Sequence, residues 1–158
     1  VLKRLIDCAK ENSLETIVRI TADCPLIDPR LLDECVKMHF RKKCDLTSNN
    51  LKLSFPNGLD VEVVNLNALL KSQKISKSKY NKEHVTPFVK QSKKFTKCNY
   101  KNNTNYGNRR WTLDHLKDYS FLKKVVKYFS SDIYFSWKDL INDEKHNKFL
   151  INKKKRMT

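Results

Sequence analysis

The spacing of apolar residues predicts alternating helices and strands from the start of the chain. Apolar residues at helical spacing predict a helix over about residues 1–12; they are Leu2, Leu5, Ile6 and Ala9. The β-branched run over residues 16–20 predicts a strand. A second helix is predicted from Pro29 to about Arg41, because Asp28 is a favourable N-cap and proline suits the first helical position.

The middle of the chain predicts shorter elements. A strand is expected near residues 45–48, and apolar residues alternate with acids over residues 59–63, which is typical of a half-buried strand. Asn65 can cap a short helix that follows. A helix over residues 81–91 contains Pro87, which predicts either a kink or two short pieces.

The last third predicts strands over residues 95–100 and 110–113, and two helices. The first helix follows residue 113, and the last begins near Ser136 as its N-cap. Helices that alternate with strands favour an α/β domain in three layers, with a sheet between helices. We expect one domain over residues 1–152 and a basic tail over residues 153–158.

Asp23 lies in the loop after the first predicted strand, which we expect to be parallel to its neighbours. Open α/β sheets bind ligands at the carboxyl ends of their strands, and a carboxylate there suits a divalent cation. The same aspartate also fits an Asx turn that shapes the loop. Spacing alone favours the turn.

Four runs of residues, in this order, carry a family resemblance: Arg19–Pro29, Phe55–Val63, Glu83–Phe88 and Arg110–Asp114. They resemble the spore coat polysaccharide biosynthesis protein F family, cytidylyltransferase-like enzymes related to acylneuraminate and 3-deoxy-manno-octulosonate cytidylyltransferases. The likeness continues weakly at residues 136–139 and 151–152. It implies the nucleotide-diphospho-sugar transferase fold, which is Rossmann-like, with a mixed and mostly parallel sheet.

The resemblance also implies an activity. The expected reaction is magnesium-dependent transfer of CMP from CTP to a sugar acid or related sugar, for surface polysaccharide synthesis in the cytoplasm. CTP and a small sugar are then the expected partners, and no nucleic acid or membrane partner is expected. Whether the full-length protein forms a homodimer is left open. A non-catalytic sugar-binding or oligomerisation relic of this fold is the alternative.

The resemblance assigns the metal to Asp23 and Asp114, both of which directly follow apolar, strand-like segments. A capping role for Asp114, at the start of the next helix, is nearly as well supported. The chain departs from the family here: residues 115–118 read His-Leu-Lys-Asp, where a Pro-Glu-Asp-type turn is usual.

The resemblance places the acceptor sugar along Gly58 to Glu62, where Asp60 and Glu62 would share a strand face. An ordinary solvent face is the better supported interpretation of each acid alone. A second group is assigned to a helix: Glu83, His84 and Thr86. His84 is the candidate for assisting proton removal, and a packed histidine is an equal alternative.

Two arginines flank the metal-binding runs. Arg19 and Arg110 are candidates to contact phosphate or a sugar acid, or to pair with a nearby carboxylate. We expect Trp111 to lie in the core rather than to serve as a stacking platform.

Charge and cysteines change this picture little. The formal net charge is +16, but only seven of the 33 basic residues are arginine, so a nucleic-acid-binding module is less favoured than a cytidylyltransferase. No apolar run approaches the ~20 residues of a membrane helix. Five cysteines without a CxxC pair argue against a disulfide framework or a zinc site and fit a reducing cytoplasm, with Cys24 packed in the core.

Glycine is scarce, with only Gly58 and Gly107, so a glycine-rich phosphate cradle is absent from this sequence. The resemblance places that loop near the amino terminus, before the equivalent of Val1. Since the chain opens inside an amphipathic pattern, we expect it to lack an amino-terminal part and to bind CTP poorly by itself.

Overall fold

The computed structural model describes residues 1–132, 134–144 and 146. Its helices are α1 (Leu2–Glu11), α2 (Pro29–Lys42), α3 (Leu66–Ile75), α4 (Lys79–His84), α5 (Pro87–Gln91), α6 (Leu116–Tyr128) and α7 (Trp137–Asp143). Its strands are β1 (Thr16–Arg19), β2 (Leu46–Ser48), β3 (Glu62–Asn65) and β4 (Lys97–Asn99). The expected tail over residues 153–158 and the weak match at residues 151–152 lie outside the described residues.

The chain forms two compact units. The first comprises Val1–Arg19, Asp33–Leu51 and Val61–Tyr100. The second comprises Ile20–Leu32, Lys52–Asp60 and the chain from Lys101 onward. All four described strands belong to the first unit.

The sheet of the first unit is open and mixed, in the order β1-β3-β2-β4. β3 pairs antiparallel with both β1 and β2, and β2 pairs parallel with β4. The expected α/β class with a mixed sheet is confirmed. β1, β2 and β4 therefore run in the same direction and β3 runs opposite to them, so β1 belongs to the parallel set expected for it, although its direct partner in the sheet is the antiparallel β3.

Helices cover both faces of this sheet. Leu46 and Val64 face each other across β2 and β3 and join a core built with α1, α3 and α5. Neighbouring residues of a strand point to opposite faces, so Thr47 faces away from that core. Its Oγ1 lies 3.1 Å from Nδ1 of His39 on α2, which places α2 on the other face and confirms the three layers.

β3 begins later than the sequence alternation predicts. It starts at Glu62 rather than near residue 59, and residues 61–64 are all buried. The alternation predicts a strand with one solvent face, whereas β3 lies between β1 and β2 with helices over both faces. A central strand of this kind buries successive side chains.

The other helix boundaries follow the sequence closely. The Pro87 interruption produces two short helices, as one of the two expected outcomes. Ser136 caps α7: its Oγ accepts a hydrogen bond from the Asp139 amide, and the Asp139 carboxylate accepts one from the Ser136 amide. Asn65 is the N-cap residue of α3, but its side chain makes no capping hydrogen bond.

In the second unit, Asp28 joins the starts of two helices. It is 3% exposed, and its Oδ1 accepts a hydrogen bond from the Arg30 amide at 2.8 Å, which confirms its capping role at α2. Its Oδ2 accepts one from the Trp137 amide at the start of α7, 3.0 Å away. One buried carboxylate therefore satisfies the amino ends of both helices.

The predicted strand over residues 110–113 is absent. A parallel bridge joins Asn57 to Arg110 instead. The Trp111 amide donates to the Asn57 carbonyl at 2.7 Å, and the Asn57 amide donates to the Arg109 carbonyl at 3.0 Å. Trp111 is fully buried, which confirms the core position expected from sequence.

One pair of cysteines contradicts the expectation of free thiols. Cys44, just before β2, and Cys98, on β4, form a disulfide with their Cα atoms 6.1 Å apart. A sequence separation of 54 residues gives no sign of this proximity, which the parallel pairing of β2 and β4 creates. Cys8, Cys24 and Cys35 are free.

Among the described residues, no helix is both long enough and apolar enough to cross a bilayer.

Candidate functional site

The two predicted metal ligands meet at one hydroxyl in the second unit. Thr112 Oγ1 lies 3.4 Å from Oδ2 of Asp23 and 3.4 Å from Oδ2 of Asp114. Asp23 is half-buried, and the Asp114 side chain is 44% exposed. Asp23 and Asp114 are 89 and 2 positions from Thr112 in the sequence, and both share its hydroxyl. They do so although the expected strand before Asp114 did not form.

The backbone fixes this arrangement. The Leu113 amide donates to the Asp23 carbonyl at 2.8 Å, which holds the two chain segments side by side. Gly58 has φ +109°, and a Cβ there would lie 2.5 Å from both the Thr112 nitrogen and the Trp111 carbonyl carbon. Only glycine fits so close to this backbone, so the structure shows a positional reason for Gly58.

Arg110 and Asp118 form the ionic anchor beside these carboxylates. Arg110 Nε and Nη2 lie 2.9 and 2.7 Å from the two oxygens of Asp118, and Nη2 also lies 2.7 Å from Asp114 Oδ2. The Arg110 hydrogen bonds, helped by the Asp114 and His115 amides, lower the pKa of Asp118 to about 2. Asp118 is therefore a carboxylate at any physiological pH. The predicted pairing of Arg110 with a carboxylate is the contact seen.

The capping alternative for Asp114 is wrong. His115 is the N-cap residue of α6, and Asp118 accepts hydrogen bonds from the Asp114 and His115 amides at 3.1 and 3.0 Å. Sequence reasoning missed Asp118. Its signal was an acid three positions into the helix, where a side chain can reach back to the first amides.

The chemistry of this cluster fits magnesium. The described residues contain no group of three or more His, Cys, Asp or Glu side chains arranged for a metal. Two carboxylates and a hydroxyl supply only oxygen, which Mg²⁺ prefers, and Mg²⁺ keeps several waters rather than filling a protein cage. Asp23 and Asp114 are thus a suitable donor set for that ion.

A second polar cluster lies in the first unit, around Glu62. Glu62 is 4% exposed, and its Oε2 accepts a hydrogen bond from Arg19 Nη1 at 2.8 Å. Lys90 Nζ lies 2.5 Å from Oε1. Thr86 Oγ1 lies 3.0 Å from both oxygens. The solvent-face interpretation of Glu62 is therefore wrong, because its carboxylate is buried and paired with two cations.

The sheet register and a short helix assemble this cluster. Arg19 and Glu62 face each other across β1 and β3. Thr86 and Lys90 are four positions apart at α5, so both reach the same side of the helix. Lys90 was not predicted; its signal was this four-residue spacing from Thr86.

Three other predicted residues lie outside both clusters. Glu83 and His84 are exposed on α4, and the His84 ring lies 4.3 Å from the Tyr80 ring between centroids. Asp60 is half-buried in the second unit. Cys24 is buried, and burial raises the pKa of its thiol, with the Asp60 and Asp23 charges acting in the same direction. A protonated thiol is a poor nucleophile, which agrees with a packing role.

A cavity of about 670 Å³ in the first unit contains none of the predicted site residues. Buried His39 lies on its wall with both ring nitrogens in polar contact: Nδ1 with Thr47 Oγ1 and Nε2 with Asn65 Oδ1, at 3.1 and 2.9 Å. Asn65 Nδ2 donates to the Cys44 carbonyl, so its Oδ1 accepts from His39. This histidine is a satisfied structural residue.

Comparison with known proteins gives a family for the chain. Residues 1–156 match a family model described as cytidylyltransferase. The chain is 35% identical over 133 residues to protein MJ1063 of Methanocaldococcus jannaschii, an alignment covering 82% of this chain and 53% of that protein. It is 35% identical over 92 residues to the spore coat polysaccharide biosynthesis protein SpsF of Bacillus subtilis, covering 57% of this chain and 37% of that protein.

A solved structure agrees. The structure of a cytidylyltransferase from Leptospira borgpetersenii serovar Hardjo-bovis matches with a TM-score of 0.91 and 32% identity, covering 99% of this chain and 67% of that one. The chain spans about half the length of the first of the two relatives and just over a third of the second. A family model over nearly the whole chain, relatives at 35% identity and a solved structure of the same fold together show that this chain belongs to the cytidylyltransferase family.

Proposed function

We propose that this chain is part of an enzyme that transfers CMP from CTP to a sugar, most simply a sugar acid, with release of pyrophosphate. The observation that carries the proposal is the meeting of Asp23 and Asp114 at Thr112 in a chain of the cytidylyltransferase family. A role in surface polysaccharide synthesis is part of the proposal and draws support from the resemblance to SpsF.

In this proposal Asp23 and Asp114 hold Mg²⁺. The ion, when bound, neutralises the phosphate oxygens of the nucleotide so that a sugar oxygen can attack the α-phosphorus. Asp118 holds the Arg110 guanidinium in place beside Asp114. Arg110 thereby supplies a positive charge for a phosphate oxygen next to the metal-binding carboxylates.

Candidates for binding the acceptor sugar are proposed in each unit by itself: Gly58 and Asp60 in the second unit, and the Glu83 run in the first. Asp60 is proposed to accept a hydrogen bond from a sugar hydroxyl, and Glu62 and Thr86, which contact each other, are proposed as further acceptor-binding residues. His84, exposed at the end of α4, is proposed to accept the proton from the attacking hydroxyl.

The test is pyrophosphate release from CTP in the presence of Mg²⁺, measured with a panel of acidic and neutral sugars on the longest natural chain that contains this sequence. Asp23→Asn keeps the shape and removes the charge, so we expect it to lower the rate by about a hundredfold or more. Asp33→Asn, an equal charge change at an exposed position of α2, is the matched control and should retain the rate.

Mn²⁺ binding to the present chain, followed by electron paramagnetic resonance, tests the metal site separately from turnover. Asp23→Asn and Asp114→Asn should each weaken binding, and Asp33→Asn should not. Equal rates in Asp23→Asn and the parent would contradict the assignment of Asp23. A folded parent that lacks transfer but binds a sugar would support the non-catalytic alternative.

A further inference from the structure

In the Glu62 cluster, the acceptor oxygens of the carboxylate are already engaged, whereas some donor groups of the surrounding cations are not. Both carboxylate oxygens of Glu62 are already in contact with donors from Arg19, Thr86 and Lys90. A carboxylate engaged in this way has little capacity left to accept hydrogen bonds from a sugar hydroxyl. Direct contact between Glu62 and a neutral sugar is therefore not what this geometry favours.

The two cations of the cluster retain donors. Within the described residues, Arg19 makes one side-chain hydrogen bond, through Nη1, so Nε and Nη2 make none. Lys90 Nζ contacts Glu62 and Asn50 Oδ1, the latter at 2.7 Å, which leaves one of its three donors. Both side chains keep a solvent-accessible part, 19% for Arg19 and 24% for Lys90.

The net charge of the Glu62 cluster is positive, which is the sign that attracts an anion. Two cations surround one carboxylate, so the cluster carries a net formal charge of +1. Glu62 is almost fully buried, so the attraction that aligns the cations is only weakly screened. Charge-assisted hydrogen bonds from aligned arginine and lysine donors are the strong ones available to a carboxylate or phosphate group.

We infer that Arg19 and Lys90 form an oxyanion-binding site, and that Glu62 and Thr86 are positioning residues that align these two cations. The ligand group is a carboxylate or a phosphate. This inference rests on the proposed function, in which the acceptor is a sugar acid and the donor a nucleoside triphosphate. It adds Lys90 to the binding residues and gives Glu62 an indirect role.

The test is a nuclear magnetic resonance titration of the present chain, labelled with ¹⁵N, that follows the arginine Nε–H signals. Acetate and glucuronate are the carboxylate probes, inorganic phosphate is the second oxyanion, and chloride at equal ionic strength is the reference. The Arg19 signal, assigned by its loss in Arg19→Lys, should shift saturably with at least one oxyanion. Exposed Arg41 should follow ionic strength only.

Variants separate a built site from general attraction to a basic protein. Lys90→Met should weaken oxyanion binding by about tenfold, because one charge-assisted hydrogen bond contributes about 1.4 kcal/mol or more. Lys90→Arg keeps the charge and should restore much of the binding. Lys93→Met, which removes an exposed lysine three positions away, should bind as the parent does.

The outcomes show whether the oxyanion belongs to the acceptor or to the nucleotide, and they separate this inference from the proposed metal site. Saturation by the carboxylates assigns the site to the acceptor, and saturation by phosphate alone assigns it to the nucleotide. Absence of a saturable Arg19 shift in a folded chain, or equal affinities of Lys90→Met and the parent, would overturn the inference. Mn²⁺ binding at Asp23 and Asp114 is measured independently, so a failure here leaves the proposed metal site untouched.

Discussion

The two polar clusters of this chain carry opposite charge. In the first unit, Arg19 and Lys90 surround the single carboxylate of Glu62, and the net formal charge is +1. In the second unit, Arg110 contacts Asp114 and Asp118, and Asp23 shares the Thr112 hydroxyl with Asp114, so the net formal charge is −2. The net charge of the first cluster favours an anion, and that of the second favours a cation.

Burial explains how each cluster is arranged. The carboxylates that lose their water are held by cations: Glu62 and Asp118 have side chains 5% and 4% exposed, and each contacts an arginine. Asp114 also contacts Arg110, but its side chain is 44% exposed and so remains accessible. Buried carboxylates thus fix the frame of each cluster, and the more accessible groups are left for a ligand.

The largest effect is expected at Gly58, where a side chain would displace the segment that carries Thr112. Gly58→Ala places a Cβ 2.5 Å from main-chain atoms at φ +109°, which should cost about 4 kcal/mol of the free energy of unfolding. Gly107→Ala is the matched control: its Cβ would meet side-chain atoms of Asn105 and Leu53 at 3.0 Å and should cost about 1 kcal/mol. Equal losses in urea unfolding would contradict this account of Gly58.

Glu62→Ala should break the first cluster and leave the second intact. Two cations would lose their buried partner, so the free energy of unfolding should fall by about 3 kcal/mol, measured in urea. Glu83→Ala, an exposed glutamate, should change it by less than about 0.5 kcal/mol. Mn²⁺ binding should survive in both variants, and its loss in Glu62→Ala would show that the two clusters are not independent.

Asp118→Asn should reveal the ionic anchor of the second cluster through its pH dependence. The folded-state pKa of Asp118 is about 2, below the ordinary value near 4, so its contribution to stability is complete above pH ~4. That contribution, about 2 kcal/mol, is lost as the pH falls from ~4 through ~2. The parent should therefore lose more stability than Asp118→Asn over this range.

Asp33→Asn is the reference for that experiment, because it removes an exposed carboxylate. It should follow the parent curve throughout. If Asp118→Asn also followed the parent between pH 4 and 2, the ion pair with Arg110 would not contribute to folding.

Thr112→Val should have the smallest effect and sharpen the role of the shared hydroxyl. Its two hydrogen bonds are long, 3.4 Å each, so the free energy of unfolding should change by less than about 1 kcal/mol. Mn²⁺ affinity should stay within about threefold of the parent, since carboxylates are the ligands in the proposal. Thr112→Ser keeps the hydroxyl. If Thr112→Val lowered the Mn²⁺ affinity tenfold and Thr112→Ser did not, the hydroxyl itself would be a metal ligand.

Local patterns predicted most helix boundaries because helix starts depend on neighbouring residues. Asp28 and Ser136 cap as expected, and Pro87 divides its segment into two helices. Strands were harder to predict. The run over residues 110–113 was predicted as a strand, yet within the described residues its main chain forms an isolated bridge to Asn57 rather than a strand. Strand formation needs a partner that propensity does not supply.

The motifs selected residues of both clusters without showing how they connect. Arg19, Glu62 and Thr86 were named separately, and their contact depends on the register of β1 with β3 and on α5. Lys90 was missed because the fold brings it to Glu62, and Asp118 was missed although its position in the first turn of α6 is a local capping signal. Glu83 and His84 belong to the same run as Thr86. Both side chains are exposed on α4, and their roles stay predictions.

The sequence by itself determined the family, the α/β class and the acids that matter, since these follow from residue identity and local spacing. Tertiary structure decided which carboxylates are buried, which cations hold them and that Cys44 meets Cys98. Burial and ion pairing depend on residues 43 or more positions apart for Arg19 and Glu62, and 89 apart for Asp23 and Thr112. Such distances are closed only by the folded chain, which brings together the charged residues that set the sign of each cluster.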